Sequence, residues 1–232
     1  MKSIKLTKFK SYAFTLAEVL ITLGIIGIVA AILLPNVVGM YKRKVYSNML
    51  KKNFVEINHA FEQLESDGID FVTMLYDGEY NKFIEEFFFP KFSGAKLFPE
   101  AYFGNSMCGG PTSQAQYLWR GSNKQKVTSG AFSSTPVKSV QTNSGACISI
   151  WEYWNKPYIT VDINGPQKKT NTIGMDVFMF YIDKNGFLRP HGYGMQISSI
   201  LNNCPDNPSD FGTGGHYCTA RILLDNWEMK YR

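Results

Sequence analysis

A carboxylate interrupts an apolar run. Phe14-Thr15-Leu16-Ala17-Glu18 opens a hydrophobic stretch that continues to Pro35, and Glu18 is its only charged residue. A charged side chain in hydrocarbon costs roughly 2.5–3.5 kcal/mol on insertion scales, so such a residue is a functional candidate and needs a cation. Upstream, Met1 to Ala13 carries Lys2, Lys5, Lys8 and Lys10. A cut between Ala13 and Phe14 would free an amine on Phe14. In a bundle of such helices, the Phe14 ammonium of a neighbouring copy is the partner Glu18 would meet.

These residues resemble the N-terminal signal of type IV pilins and type II secretion pseudopilins. That signal has a short basic leader, a small residue, and then Phe-Thr-Leu-x-Glu at the head of an apolar helix. Phe14, Thr15, Leu16 and Glu18 fall on it, and Pro35 falls where the family often places a helix-kinking proline. Ala13 stands where glycine is usual, and both are small. The resemblance covers Lys10 to about Pro35. It implies a prepilin peptidase that cuts after Ala13 and N-methylates Phe14. It implies assembly with other copies and other pilins through the apolar helix, directed by Glu18. An inner-membrane platform and an assembly ATPase would be further partners. An ordinary secretory signal is cut after its apolar core near an A-x-A pattern. Ala30-Ala31-Ile32 is a poor version of that, and no small residues follow Pro35.

Cys108, Cys147, Cys204 and Cys218 all lie beyond the apolar run. An even count in an exported region argues for disulfides. Cys204 and Cys218 bracket a loop rich in Asn, Pro, Gly and Asp. A bridge there would contribute about 3 kcal/mol in the chain-entropy model. It would resemble the disulfide-closed C-terminal loop of many pilins, and Cys108–Cys147 is the pairing left over. Zinc through Cys204, His216 and Cys218 is the competing reading.

Two further polar groups bear on chemistry. Asp162-x-Asn164-Gly165 and Asp176 cluster between strand-like segments. Hard cations take clustered oxygen ligands, and some pseudopilins bind calcium in a late loop. Yet Asp-x-Asn-Gly serves equally as an Asx turn, and the twelve-residue EF-hand spacing is absent. His59, His191 and His216 are the only histidines. No nucleophile elbow, phosphate loop or H-E-x-x-H helix accompanies them, so no enzyme is expected.

The elements that position these residues follow from periodicity. Val19 to Tyr41 is long enough to span a bilayer, and Lys42-Arg43-Lys44 follows it. From Val45 to Ser66 the apolar residues Leu50, Phe54, Ile57, Phe61 and Leu64 recur at helical spacing. Asp67-Gly68 supplies a stop. Anchor and amphipathic half read as one helix, bent at Pro35. Asn81 to Pro90 reads as a short helix. Tyr102 to Pro136 reads as a long connection with one element near Gln114–Trp119. Strands are expected at Ala146–Trp151, Tyr158–Ile163 and Val177–Ile182, with Asn185-Gly186 turning into Phe187-Leu188-Arg189. The fold expected is α+β: a long N-terminal helix packed on a C-terminal antiparallel sheet, which is the pilin-like shape. Residues 1–13 would be leader, 14–41 the membrane and assembly helix, and 42–232 the globular domain.

The 232 residues carry a net charge of +5, and the four leader lysines account for much of it. Nothing favours nucleic-acid binding through a basic field. The reading is a filament subunit of a type IV pilus or a type II secretion system. It would be held in the inner membrane with its C-terminal domain outside the cytoplasm. A pilin-anchored adhesin at a filament tip and a non-assembling envelope protein are the alternatives.

Overall fold

The computed structural model describes residues 14–77, 79–102, 108, 136–153, 156–165, 172–206 and 215–231. The leader lysines, Ala13 and the element expected at Gln114–Trp119 lie outside the described residues. The chain divides into two compact units, residues 1–41 and 42–232.

Helix α1 runs Leu16–Ser66 and continues through Pro35. Its part in the first unit is apolar and uncovered: Leu20, Ile26 and Ile32 are each more than 60% exposed. It is long and apolar enough to cross a membrane, and none of its apolar window is buried. A core helix of a soluble domain would bury that window, so the exposure is consistent with membrane anchoring.

In the second unit α1 becomes amphipathic. Leu50, Ile57, Ala60, Phe61 and Leu64 are buried on one face. The end is a Schellman motif: Ile69 N–H donates to the Leu64 carbonyl at 3.0 Å and Gly68 N–H to that of Glu65 at 3.0 Å. Gly68 sits at φ +73°, the left-handed geometry this motif requires. A short helix α2 (Phe71–Tyr76) follows, capped by the Asp70 carboxylate. Helix α3 (Tyr80–Lys82) leads into a π turn (Phe83–Phe88) and a 3-10 turn (Phe89–Lys91). These turns close an aromatic cluster. Phe61 lies 4.9 Å, centroid to centroid, from both Phe71 and Phe88, and Phe92 meets Phe88 edge-on at 5.2 Å.

Six antiparallel strands form a meander in sequence order: β1 (Lys96–Tyr102), β2 (Pro136–Gln141), β3 (Cys147–Tyr153), β4 (Lys156–Asp162), β5 (Val177–Ile182) and β6 (Leu188–Pro190). Alternation splits the residues between two clusters. Ile148, Ile150, Ile159, Val161, Phe178 and Phe180 join the main core with α1. Cys147, Trp151, Val177 and Met179 form a second cluster with Cys108. Two helices complete the domain, α4 (Ile197–Asn203) and α5 (Cys218–Leu224).

The α+β arrangement is the one expected. Two strands were not: β1, and β2, which starts where the supposed connection ends. The strands β3 and β4 run longer than expected, since Glu152 pairs with Pro157 and Tyr153 with Lys156 inside the ladder.

Gly68 and Gly174 both have positive φ, +73° and +84°, but differ in surroundings. A Cβ on Gly68 would meet nothing within 4 Å, whereas one on Gly174 would lie 2.7 Å from Cys218 Sγ. Gly68→Ala should therefore lower the stability of the 42–232 domain by about 1 kcal/mol, the cost of the left-handed backbone alone. Gly174→Ala should cost more. Urea denaturation of both variants checks this, and equal losses would refute the close-packing argument.

Candidate functional site

Helix α1 begins with a capping box. Thr15 precedes the first helical residue and Glu18 occupies its first turn. Glu18 Oε2 accepts from Thr15 N–H and Thr15 Oγ1, both at 2.8 Å, and Glu18 N–H donates to Thr15 Oγ1 at 3.2 Å. The first-turn amides of a helix lack intrahelical partners, and this pair satisfies two donors reciprocally. Among the described residues Glu18 Oε1 accepts nothing, and no cation approaches the carboxylate. Phe14, directly before Thr15, is 85% exposed. Thr15 falls on the motif read from the sequence, but no capping role was expected of it. The signal was there, since Thr-x-x-Glu ahead of an apolar run is the capping-box spacing.

Residues 8–34 match the family model of the prokaryotic N-terminal methylation motif. The chain carries the type IV pilin and pseudopilin signal. The matched segment contains Ala13, Phe14 and Glu18 and ends one residue before Pro35. No curated protein and no solved structure matches the chain.

In the second unit the cysteines form two disulfides. Cys204 bridges Cys218 with Cα atoms 5.0 Å apart, and Cys108 bridges Cys147 at 5.9 Å. Both sulfurs of the supposed zinc set are therefore covalently joined, and the reading through Cys204, His216 and Cys218 is corrected: no thiolate is left to ligate. The first bridge is braced from inside. Arg221 donates to the Cys204 carbonyl, pairs with Asp206, and lies 5.3 Å from the centre of the Tyr231 ring. Tyr231 Oη donates to the Gly174 carbonyl at 2.5 Å.

Asp162, Asn164 and Asp176 do come together. Asp162 Oδ1 accepts from the backbone N–H of Asn164 at 3.3 Å and of Gly165 at 3.0 Å, which is an Asx turn. Asn164 Nδ2 lies 3.1 Å from both Asp176 Oδ2 and Tyr46 Oη. Asp176 Oδ1 accepts from Thr172 N–H at 2.5 Å. A calcium ion would have to displace these donors. Among the described residues no three His, Cys, Asp or Glu side chains converge as a metal site. Burial, and then the neighbouring Asp176 charge, push the Asp162 carboxyl up to about 8.

His191 and His216 are neighbours, and His59 lies on α1. His59 is exposed on α1 and bonded to Gln63 at 3.2 Å. His191 packs 5.4 Å from Tyr158, 5.1 Å from Tyr217 and 6.5 Å from His216. Burial, then His216 and Lys156, push His191 down to about 4.

These two groups oppose each other in pH dependence. Asp162 ionises near 3.8 when unfolded and near 8 when folded, so its contribution is lost as pH rises through that window. His191 charges below 6.5 when unfolded and below about 4 when folded, so its contribution is lost as pH falls. The slopes offset each other between those two His191 values. Above 6.5 only the Asp162 slope remains, and the 42–232 domain should lose about 1–2 kcal/mol by pH ~8. Asp162→Asn keeps the Oδ1 acceptor and should abolish that alkaline loss while retaining the rise with pH on the acidic side. Denaturation at a series of pH values tests it, and an unchanged alkaline slope in the variant would sink the assignment.

Proposed function

We propose that the chain is a structural, non-enzymatic subunit of a type IV pilus or type II secretion filament. The observation that carries this is the methylation motif at residues 8–34, seated on an uncovered apolar helix whose first turn holds Glu18. A prepilin peptidase removes residues 1–13 and methylates the new amine of Phe14. The mature subunit waits in the inner membrane with its disulfide-bonded domain outside the cytoplasm. An assembly platform and its ATPase then move it into a bundle of like helices.

Physical chemistry supports each step. Lipid tails solvate an apolar helix about as well as a neighbouring helix does, so apolarity alone does not drive assembly. The Glu18 carboxylate supplies direction. Its Oε2 stays in the capping box after cleavage, because Thr15 keeps its amide and hydroxyl. Its Oε1 is turned to no donor among the described residues, and the Phe14 ammonium of a neighbouring subunit completes it. A buried charge without its partner is strongly unfavourable, so the pair favours one register.

The first test is the mature N-terminus. Mass spectrometry of protein from the native host should find a chain starting at N-methylated Phe14. An intact leader, or a start near Ile32, would remove the proposal. The second is Glu18→Ala. Membrane insertion should be undiminished, since the one charge within the apolar run is gone. Recovery in sheared filaments should fall at least tenfold, with membrane level as the control. Incorporation equal to wild type would show that Glu18 does not direct assembly.

A further inference from the structure

Beyond the end of α1, the second unit borders an open cavity of about 820 Å³. Its walls come from α2, the start of β4, and the end of β5 with the turn that follows. Sites for small ligands fall in this size range, roughly 300–1,000 Å³. Tyr76 and Asp77 line one wall, and Lys156, Tyr181, Asp183 and Lys184 line the other. The walls are fixed by contacts of their own. Tyr76 Oη donates to the Ile182 carbonyl at 2.8 Å, which ties α2 to β5. Asp183 Oδ1 accepts from Asn185 N–H at 2.9 Å and Phe187 N–H at 3.0 Å, and its Oδ2 accepts from Arg189 Nε at 2.8 Å. A Cβ on Gly186 would lie 3.0 Å from Phe71 Cζ and 3.2 Å from Val72 Cγ2, so the turn sits tightly on α2. A site built in advance spends little of its binding energy on ordering itself.

The groups left over define the ligand. Among the described residues Lys156, Lys184 and Asp77 make no ion pair, whereas Asp183 is matched by Arg189. The free charge is two ammoniums against one carboxylate, which favours an anion. Tyr76 and Tyr181 are half-buried and give the cavity aromatic surface. Burial, and then the Asp183 charge, push both phenols up, so both rings stay neutral. We propose that this cavity binds an acidic saccharide, a sugar whose ring carries a carboxylate. The C–H face of such a ring packs on tyrosine, whose π-face is electron-rich. Its carboxylate meets Lys156 and Lys184, and its hydroxyls donate to Asp77. A fatty acid would give Asp77 no donor. A nucleic-acid strand carries a phosphate at every nucleotide, and Asp77 and Asp183 would repel that dense charge. Every part of the site lies within residues 42–232 of one copy, so the inference does not depend on assembly.

Calorimetric titration of the full chain in micelles of a sugar-free detergent tests this. Trigalacturonate and sialyllactose are the acidic probes, and the methyl ester of each and a single-stranded DNA oligonucleotide are the controls. At least one acidic probe should bind, and its ester should bind more weakly. Lys156→Ala and Lys184→Ala should each weaken binding by up to about fivefold, the ~1 kcal/mol that an exposed charge pair reaches. Lys184→Arg should retain it. Tyr181→Leu should weaken binding, and Tyr181→Phe should keep it, because the ring and not the hydroxyl makes the contact. Lys156 and Lys184 are exposed, so their variants should fold, and unchanged thermal unfolding confirms that they do. Binding of neither acidic probe would overturn the proposal. Esters that bind as tightly as the acids, or an oligonucleotide that binds as tightly as the better probe, would overturn it as well. Wild-type affinity in both lysine-to-alanine variants would place the saccharide elsewhere and sink the site.

Discussion

Everything else in this chain depends on one constraint: a helix that its own chain leaves uncovered, with a carboxylate in its first turn. Among the described residues the large apolar side chains of α1 between Leu16 and Tyr41 are exposed, which suits a lipid bilayer as their solvent. Glu18 is the exception within that run. Its capping box with Thr15 meets the local need of the helix end, since the first amides of any helix lack intrahelical partners. One carboxylate oxygen is thereby engaged at no cost in assembly. In the proposed filament the other oxygen is the one that would meet a cation of a neighbouring copy, so helix initiation and pairing would use different atoms of one side chain.

The second unit answers a different problem. Disulfides persist under oxidising conditions, which suits the proposed location of this domain outside the cytoplasm. Each bridge ties an irregular segment to a regular element. Cys108 is joined to β3, and Cys204 is joined to the start of α5. The Cys204–Cys218 loop is further held by Arg221 and by the Tyr231–Gly174 hydrogen bond, so the C-terminal segment is fixed by covalent, ionic and neutral contacts together. The close approach of Gly174 to Cys218 Sγ shows how little room that packing leaves.

What could be read from the sequence was what had a strong period or a strong motif. The stripe from Leu50 to Leu64, the Asp67-Gly68 stop and strands β3, β4 and β5 each repeat a pattern that burial enforces. β1 was hidden because Pro99 interrupts it and its pairing with β2 shifts register between Phe98 and Ala101. Proline removes a ladder donor and is confined to edges and bulges, which is where β1 lies. β2 was hidden because its buried positions include Ser139, whose hydroxyl accepts from Cys108 N–H at 2.9 Å. A polar residue satisfied by a distant backbone donor carries no signal in a hydrophobicity pattern. The bridge between Cys204 and Cys218 settled a choice that the His216-x-Cys218 spacing left open, because thiol chemistry depends on geometry the chain order does not contain.

The same polar contacts explain why α1 presents one face and not another. At its basic end, Ser47 Oγ donates to the Trp227 carbonyl, and Tyr46 Oη lies 3.1 Å from Asn164 Nδ2. Further along, the Phe54 ring packs at a tilt, with its centre 5.1 Å from that of Trp227 and 5.6 Å from that of Phe180. Apolar side chains alone tolerate some rotation of a helix against a sheet, whereas buried polar atoms tolerate little, since each lost partner leaves a desolvated group. A slip of one residue turns an α-helix by about 100°. It would carry Lys51 toward the place of Leu50 and break both polar links at once. The part-buried bonds of Ser47 and Tyr46 therefore fix the outward face of α1 as firmly as they fix its inward core.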